Sequence, residues 1–310
     1  MNILEVKPIS RRWPPLISAG LFLIIAIFGF FFIGPVIGGM FILPFYDGDL
    51  TTFAQKMSSP FGDDSLKNLI FIVQGVATAT GLILIPWIYL KVYENRSLRL
   101  FFPTRVALSP VLLTGLIVLA FIAVNSLFIE WNAGLELPEA MSGFENWMRD
   151  KEDYAARITE YLTVFDSTSQ FAIAFLVIAV LPAIGEELVF RGYIQHELQA
   201  ASGNPHLAIW AAAILFSAIH MQFYGFVPRL LLGALFGYLY LWSGNLIYPI
   251  IAHFVQNGSQ LFILYMAQNH IIDLNVEDPE SFPVLVILLF AGITFSLMVI
   301  FRKFFLKLKT

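Results

Sequence analysis

Long apolar runs, separated by short polar breaks, recur along the whole chain. A membrane-spanning helix needs about 20 largely apolar residues, and by that rule we count eight spans. They lie at residues 13–32, 69–89, 108–129, 171–200, 207–223, 226–242, 246–266 and 284–301. The pattern predicts an all-α fold, a polytopic membrane helix bundle with about eight transmembrane helices, in a single domain over residues 1–310.

Composition supports this class. Of the 310 residues, 58% are hydrophobic and 13% are charged, and the mean hydropathy is +0.76, whereas a soluble domain carries about 25% charged residues. The absence of cysteine excludes disulfides, thiolate metal ligands and a cysteine nucleophile. No basic arm or stripe points to nucleic acid, so the lipid bilayer is the expected surrounding.

Charges in the predicted loops indicate the orientation, because Lys and Arg are retained on the cytoplasmic side. The first twelve residues, the loop after the second span and the C-terminal tail are basic, with Lys7, Arg11, Arg12, Lys91, Arg96, Arg99, Arg105, Arg302, Lys303, Lys307 and Lys309. Two intervening loops are acidic, with Asp47, Asp49, Asp63, Asp64, Asp273, Glu277, Asp278 and Glu280. We therefore expect a bacterial inner-membrane protein with both termini in the cytoplasm.

A longer acidic segment, residues 130–166, separates the third and fourth spans on the predicted outer side. Within it Tyr154, Ile158, Tyr161 and Phe165 recur at helical spacing. The segment is predicted to be an amphipathic helix lying on the outer surface. A lid that gates substrate entry is the alternative.

Ionisable residues are concentrated in one half of the chain. The cores of spans one, two, three and eight have none, whereas the region of about residues 171–268 contains Glu186, Glu187, Arg191, His220, Arg229 and His253. Each such residue is costly inside a membrane, so the group marks a functional site. Arg229, near an outer helix end, is expected instead to extend toward the membrane surface.

The spacing of these residues predicts that they meet. On a helix, Glu187 and Arg191 share a face, while Glu186 points about 100° away. Glu187 and His220 are each about 16 residues from the turn at 202–205. In an antiparallel hairpin both would lie at the same depth, about 25 Å along the helices.

His253 and Asn257 are four residues apart and share a second face. A carboxylate with a histidine can activate water as a general base or hold a metal that does so. A histidine with an asparagine can donate to the oxyanion formed at a scissile carbonyl. The residues indicate peptide hydrolysis within the membrane, but their spacing does not choose between Glu186 and Glu187 as the base.

Three motifs carry a resemblance to a known family: Glu186-Glu187-x-x-x-Arg191, Phe216-x-x-x-His220 and His253-x-x-x-Asn257. In this order they resemble the motifs of the CPBP family, which includes type II CAAX prenyl proteases and bacteriocin-processing, Abi-like self-immunity proteins. The resemblance covers residues 179–260. It implies an eight-helix intramembrane protease that opens toward the cytoplasm and acts on a membrane-associated or prenylated peptide or protein.

The resemblance also implies roles for the residues. Glu186 and His220 would activate water, His253 and Asn257 would stabilise the oxyanion, and Arg191 would orient the acidic pair. Glu186, His220 and His253 suit Zn²⁺ in ligand type and number, but the H-E-x-x-H arrangement is absent, so a glutamate mechanism without metal is preferred and zinc remains open. The alternative function is a non-catalytic bacteriocin self-immunity or peptide-binding protein of the same fold.

Overall fold

A computed structural model describes most of the chain. The described residues are 7–10, 12–43, 46, 50–58, 61, 65–103, 106–273 and 281–307. Among them the secondary structure is helical and no strand is formed. Some charges that set the predicted orientation lie outside the described residues: Arg11, Asp47, Asp49, Asp63, Asp64, Arg105, Glu277, Asp278, Glu280 and Lys309.

The described helices form an all-α membrane bundle, as predicted. In chain order they are α1 Pro15–Ile42, α2 Leu50–Ser58, α3 Leu66–Tyr93, α4 Leu108–Ala133, α5 Ser142–Thr163, α6 Thr168–Ser202, α7 Pro205–Ala218, α8 Phe226–Ser243, α9 Ile247–Gln268 and α10 Val284–Lys307. Two short 3₁₀ turns, Leu98–Phe101 and Glu139–Met141, precede α4 and α5.

Six of the described helices, namely α1, α3, α4, α6, α8 and α10, are long and apolar enough to cross a membrane. The predicted number of about eight is therefore approximate, and α7 and α9 account for the difference. Helix α7 has only 14 residues, about 21 Å, because the chain turns after it and Met221 adopts a φ of 54°. Helix α9 has 22 residues, but polar side chains around His253 and Asn257 lower its hydropathy.

Tight turns join the helices that carry the site. Between α6 and α7, Gly203 adopts a φ of 66° and the Asn204 side chain accepts hydrogen bonds from the first free N–H groups of α7. Between α8 and α9, Gly244 adopts a φ of 63°. These turns place α7 against the end of α6 and α9 against α8, and α7 and α8 also pack side by side.

Helix α6 is irregular at two places. It contains π-helical turns at Phe175–Val180 and Leu188–Ile194, and Pro182, which lacks an N–H, lies between them. All seven residues of the second turn are buried. Single π turns inside α-helices are frequent at functional sites, and here the second turn directly follows Glu187.

Close backbone contacts and aromatic packing hold α1 against α3 and α6. A Cβ on Gly81 of α3 would lie 2.2 Å from the backbone nitrogen of Phe30 in α1, so only glycine allows this approach. Toward the other end of α1, Phe22 stacks on Tyr193 of α6 with ring centroids 3.8 Å apart. Helix α6 is thereby fixed along one side.

Helix α5 contacts the ends of the site-bearing helices. The Thr163 carbonyl accepts a 2.7 Å hydrogen bond from Gln268 at the end of α9. The backbone N–H of Tyr224, in the loop between α7 and α8, donates to Glu152 at 3.4 Å. Helix α5 therefore bridges two elements that flank the acidic pair.

Candidate active site

The pair Glu187 and Arg191 lies at the centre of the site. Both side chains are almost fully buried, at 0% and 1% exposure, and Arg191 Nη1 donates to Glu187 Oε1 at 2.7 Å. Arg191 Nη2 donates to the Gly233 carbonyl of α8 at 3.0 Å, and the guanidinium lies over the Phe216 ring, 4.6 Å from its centroid. The arginine thus neutralises one carboxylate and ties α6 to α7 and α8.

His253 of α9 is held by the same carboxylate. Its Nδ1 lies 2.8 Å from Glu187 Oε1. Because an ionised carboxylate can only accept, Nδ1 carries the proton, and in the neutral ring Nε2 has the free lone pair. That Nε2 lies 3.9 Å from Glu186 Oε2, while the Phe236 ring stacks on the imidazole at 5.5 Å.

His220 lies on the turn after α7 rather than within the helix. Its Nδ1 is 2.7 Å from the Phe216 carbonyl, which can only accept, so this ring also presents a free Nε2 in its neutral form. His220 Nε2 lies 4.0 Å from Glu186 Oε2. One glutamate oxygen therefore faces the Nε2 atoms of both histidines.

Asn257 approaches from α9, one turn beyond His253. Its Nδ2 donates to the carbonyl of Ile178, in the first π turn of α6, at 3.2 Å. An amide nitrogen has two hydrogens, so the second remains for a substrate. The Ile178 carbonyl fixes the orientation of the asparagine side chain.

The structure brings Glu186, Glu187, Arg191, His220 and His253 together, and one pair differs from the pair that spacing predicted. The count of residues from the turn placed Glu187 beside His220, whereas Glu186 lies there. Glu187 binds Arg191, its neighbour on the same helix face, and also His253. The reason is the rotation of α6, which directs Glu187 into the bundle and leaves Glu186 partly exposed, at 17%. The two glutamates therefore have different surroundings, a difference that spacing alone left open.

Arg229, which we expected to extend toward the membrane surface, reaches back to the loop that precedes α8. Its Nη1 is buried, and Nη2 donates to Gln222 Oε1 at 2.7 Å. Sequence spacing did not indicate this contact with the loop between α7 and α8. The sequence feature that could have indicated this contact is Gln222, a polar residue two positions after His220.

The fit of a metal ion was tested on the same three side chains. In a tetrahedral zinc site with bonds of about 2.0 Å, neighbouring ligand atoms are roughly 3.3 Å apart. Glu186 Oε2 is 4.0 Å from His220 Nε2 and 3.9 Å from His253 Nε2. Among the described residues no group of three His, Cys, Asp or Glu side chains is arranged to hold a metal ion. The spacing therefore does not fit zinc, although the ligand types do.

Comparison with known proteins identifies the site-bearing region. The profile of the family described as "Type II CAAX prenyl endopeptidase Rce1-like" matches residues 168–259. The resemblance to this protease family is confirmed. It covers α6 to the middle of α9, the part of the chain that holds all six predicted site residues. At the level of the family, it supports a CAAX-type intramembrane peptidase.

A curated relative matches a similar length of chain. The protein "Uncharacterized protein YpbD" of Bacillus subtilis (strain 168) is 31% identical over 96 residues, which are 30% of this chain and 45% of the relative. The match thus spans less than half the length of that relative. No solved structure matches this chain.

Proposed function

We propose that this protein is an intramembrane endopeptidase that hydrolyses a peptide bond in a membrane-associated or lipidated, CAAX-like substrate. The observation that supports it is the convergence of two histidine Nε2 atoms, at 3.9 and 4.0 Å, on one oxygen of Glu186. Both Nδ1 atoms are already engaged with acceptors, so the free nitrogens face the glutamate.

A water molecule bound between Glu186 and His220 would be the nucleophile. Atoms 4.0 Å apart can both accept hydrogen bonds of about 2.8 Å from one water, since the angle at the water oxygen is then about 90°. Both water hydrogens are thereby engaged, which directs an oxygen lone pair to the substrate carbonyl. As the C–O bond forms, Glu186 takes the proton as general base and later delivers it to the leaving amine.

Asn257 and His253 would stabilise the oxyanion of the tetrahedral intermediate. Asn257 offers its second amide hydrogen. His253 can donate from Nε2 only as the imidazolium, which takes its second proton from solvent before the substrate binds, and the adjacent Glu187 stabilises that charge. Arg191 balances the charge of Glu187 in the ground state and fixes its orientation. In this scheme Glu186 is the general base, and Glu187 supports catalysis by stabilising His253.

The test compares peptide termini in membranes from cells that carry the natural chain or Glu186→Gln, at matched expression. Glu186→Gln keeps the size of the side chain and removes the base. We expect new termini only with the natural chain, and these would identify the substrate and any lipid on it. Glu160→Gln, an exposed position on α5, is the matched control. Identical termini for natural and Glu186→Gln proteins, both folded, would favour the non-catalytic self-immunity or peptide-binding function.

Metal content is measured on the same purified, active protein. We propose that it acts without a resident metal, since the side-chain spacing does not fit zinc. About one zinc per chain, whose removal abolishes cleavage, would overturn this.

We also propose that both termini lie in the cytoplasm of a bacterial inner-membrane protein. Because the chain has no cysteine, a single Cys placed at Lys303 can be tested with a membrane-impermeant maleimide. Labelling in intact spheroplasts, rather than only after lysis, would contradict the orientation.

A further inference from the structure

Arg229 has a hydrogen-bonding group with no acceptor. It lies in the first turn of α8, and Nη2 donates to Gln222. Nη1 is buried and has no hydrogen-bond partner among the described residues. Buried polar groups nearly always have a partner, and a charged donor left without one is costly. Nη1 of Arg229 therefore has no acceptor in the described part of the chain, and a bound ligand can supply one.

The neighbouring acid does not supply this acceptor. Glu152 of α5 receives hydrogen bonds, both of 3.4 Å, from the Gln222 side chain and the Tyr224 backbone. In the described part of the chain no carboxylate oxygen lies within the 4.0 Å ion-pair distance of Arg229. A Cβ on Gly225 would lie 3.3 Å from Nη2, so the loop backbone lies beside the guanidinium.

The guanidinium is also close to the proposed reacting groups. Gln222, which accepts the 2.7 Å hydrogen bond from Nη2, lies two residues after His220, and the guanidinium also interacts electrostatically with Glu186 and His220. A peptide whose scissile carbonyl lies at Glu186 would therefore place its neighbouring residues near Arg229. This step rests on the proposed function, whereas the missing acceptor does not.

We propose that Arg229 is a specificity residue that binds a carboxylate of the substrate close to the scissile bond. The planar guanidinium matches a planar carboxylate in geometry. A singly charged group fits better than a phosphate dianion, because Glu152 and Glu186 also act on this position and repel a second negative charge. Either an acidic side chain or the C-terminal carboxylate of the substrate can supply the group.

The experiment measures binding, so that it does not depend on cleavage. Full-length Glu186→Gln protein in nanodiscs is titrated with three fluorescent, palmitoylated hexapeptides of otherwise identical sequence. One is a neutral amide, one is an amide with a single glutamate, and one is neutral with a free C-terminal carboxylate. The same titrations are made with Arg229→Gln, Arg229→Lys and the control Arg157→Gln, which removes one positive charge from α5 where Arg157 lies over the Phe61 ring.

We expect at least one acidic peptide to bind about 10- to 100-fold more tightly than the neutral amide, the range for hydrogen bonds to a charged group. Arg229→Gln should abolish this preference, Arg229→Lys should keep part of it, and Arg157→Gln should keep all of it. The peptide that is preferred identifies the source of the carboxylate. Equal binding of all three peptides, undetectable binding, or a preference that survives Arg229→Gln would overturn the proposal. Identical peptide termini for the natural chain and Glu186→Gln, with the binding preference intact, would contradict only the proposed catalytic function.

Discussion

Removal of the Arg191 charge is expected to destabilise the whole bundle. Arg191→Met keeps a long side chain but deletes the hydrogen bonds to Glu187 Oε1 and the Gly233 carbonyl, of 2.7 and 3.0 Å. Both partners of the ion pair are buried, at 1% and 0% exposure. Breaking a buried pair by removing one partner costs about 3–5 kcal/mol, because the remaining charge is left uncompensated.

The assay is equilibrium unfolding in mixed detergent micelles, and a second variant isolates the cause. In Arg191→Met combined with Glu187→Gln no uncompensated charge remains, and the glutamine oxygen can still accept from His253. The double variant should therefore be more stable than Arg191→Met alone. Arg149→Met, which removes the exposed arginine of the ion pair with the partly buried Glu145, should have little effect. A cost below about 1 kcal/mol for Arg191→Met, or a double variant that is less stable still, would refute the reasoning.

Three further predictions test other parts of the structure. Asn257→Ala should lower turnover by about 100-fold if the amide donates to the oxyanion, and unchanged turnover would make Asn257 a packing residue. Burial raises the pKa of Glu152 above its ordinary value of 4.5. The folded protein therefore binds this proton more tightly than the unfolded chain does, so the stability of the fold should decrease as the pH rises from 4.5 through the raised pKa. Unfolding measured between about pH 4 and pH 7 should show a shallower fall for Glu152→Gln, and an identical slope would contradict the assignment. Gly81→Ala should destabilise the protein by about 1–3 kcal/mol, because its new Cβ clashes with Phe30. The control Gly115→Ala should not, because nothing lies within 4 Å of its new Cβ. Equal free energies of unfolding for the two variants would argue against the close approach of α1 and α3.

The site could be predicted from the sequence because ionisable residues are costly inside a membrane, so the few that are present mark a functional site. The hairpin from α6 to α7 has clear turn residues at Gly203 and Asn204, so the depth of His220 could be counted from it. The same count could not predict which side chain each glutamate contacts. That contact depends on the rotation of α6, and the π turns at Phe175–Val180 and Leu188–Ile194 change that rotation without a distinctive residue pattern.

Tertiary contacts also explain the remaining differences. Arg229 follows a loop whose path is set by hydrogen bonds from Asn132 to the Phe223 carbonyl and from Val227 to Asn132. Such contacts join residues that are more than 90 positions apart, and no local pattern predicts them. For α7, apolarity continues beyond Ala218, so hydropathy alone extended the span past the turn at Met221.

The two π turns have a consequence for the phase of α6. Each i to i+5 turn accommodates one residue more than a regular helix, and one residue corresponds to about 100° of rotation. Deletion of a single residue within 188–194 would let the helix return to regular geometry. Because the π turn absorbs the extra residue, six residues in regular geometry cover nearly the same rotation as the seven of the π turn, and Gln195–Ser202 would keep its buried face. Relatives that lack one residue here would keep the motif residues and the buried face of Gln195–Ser202, and would lose only the widened turn that follows Glu187.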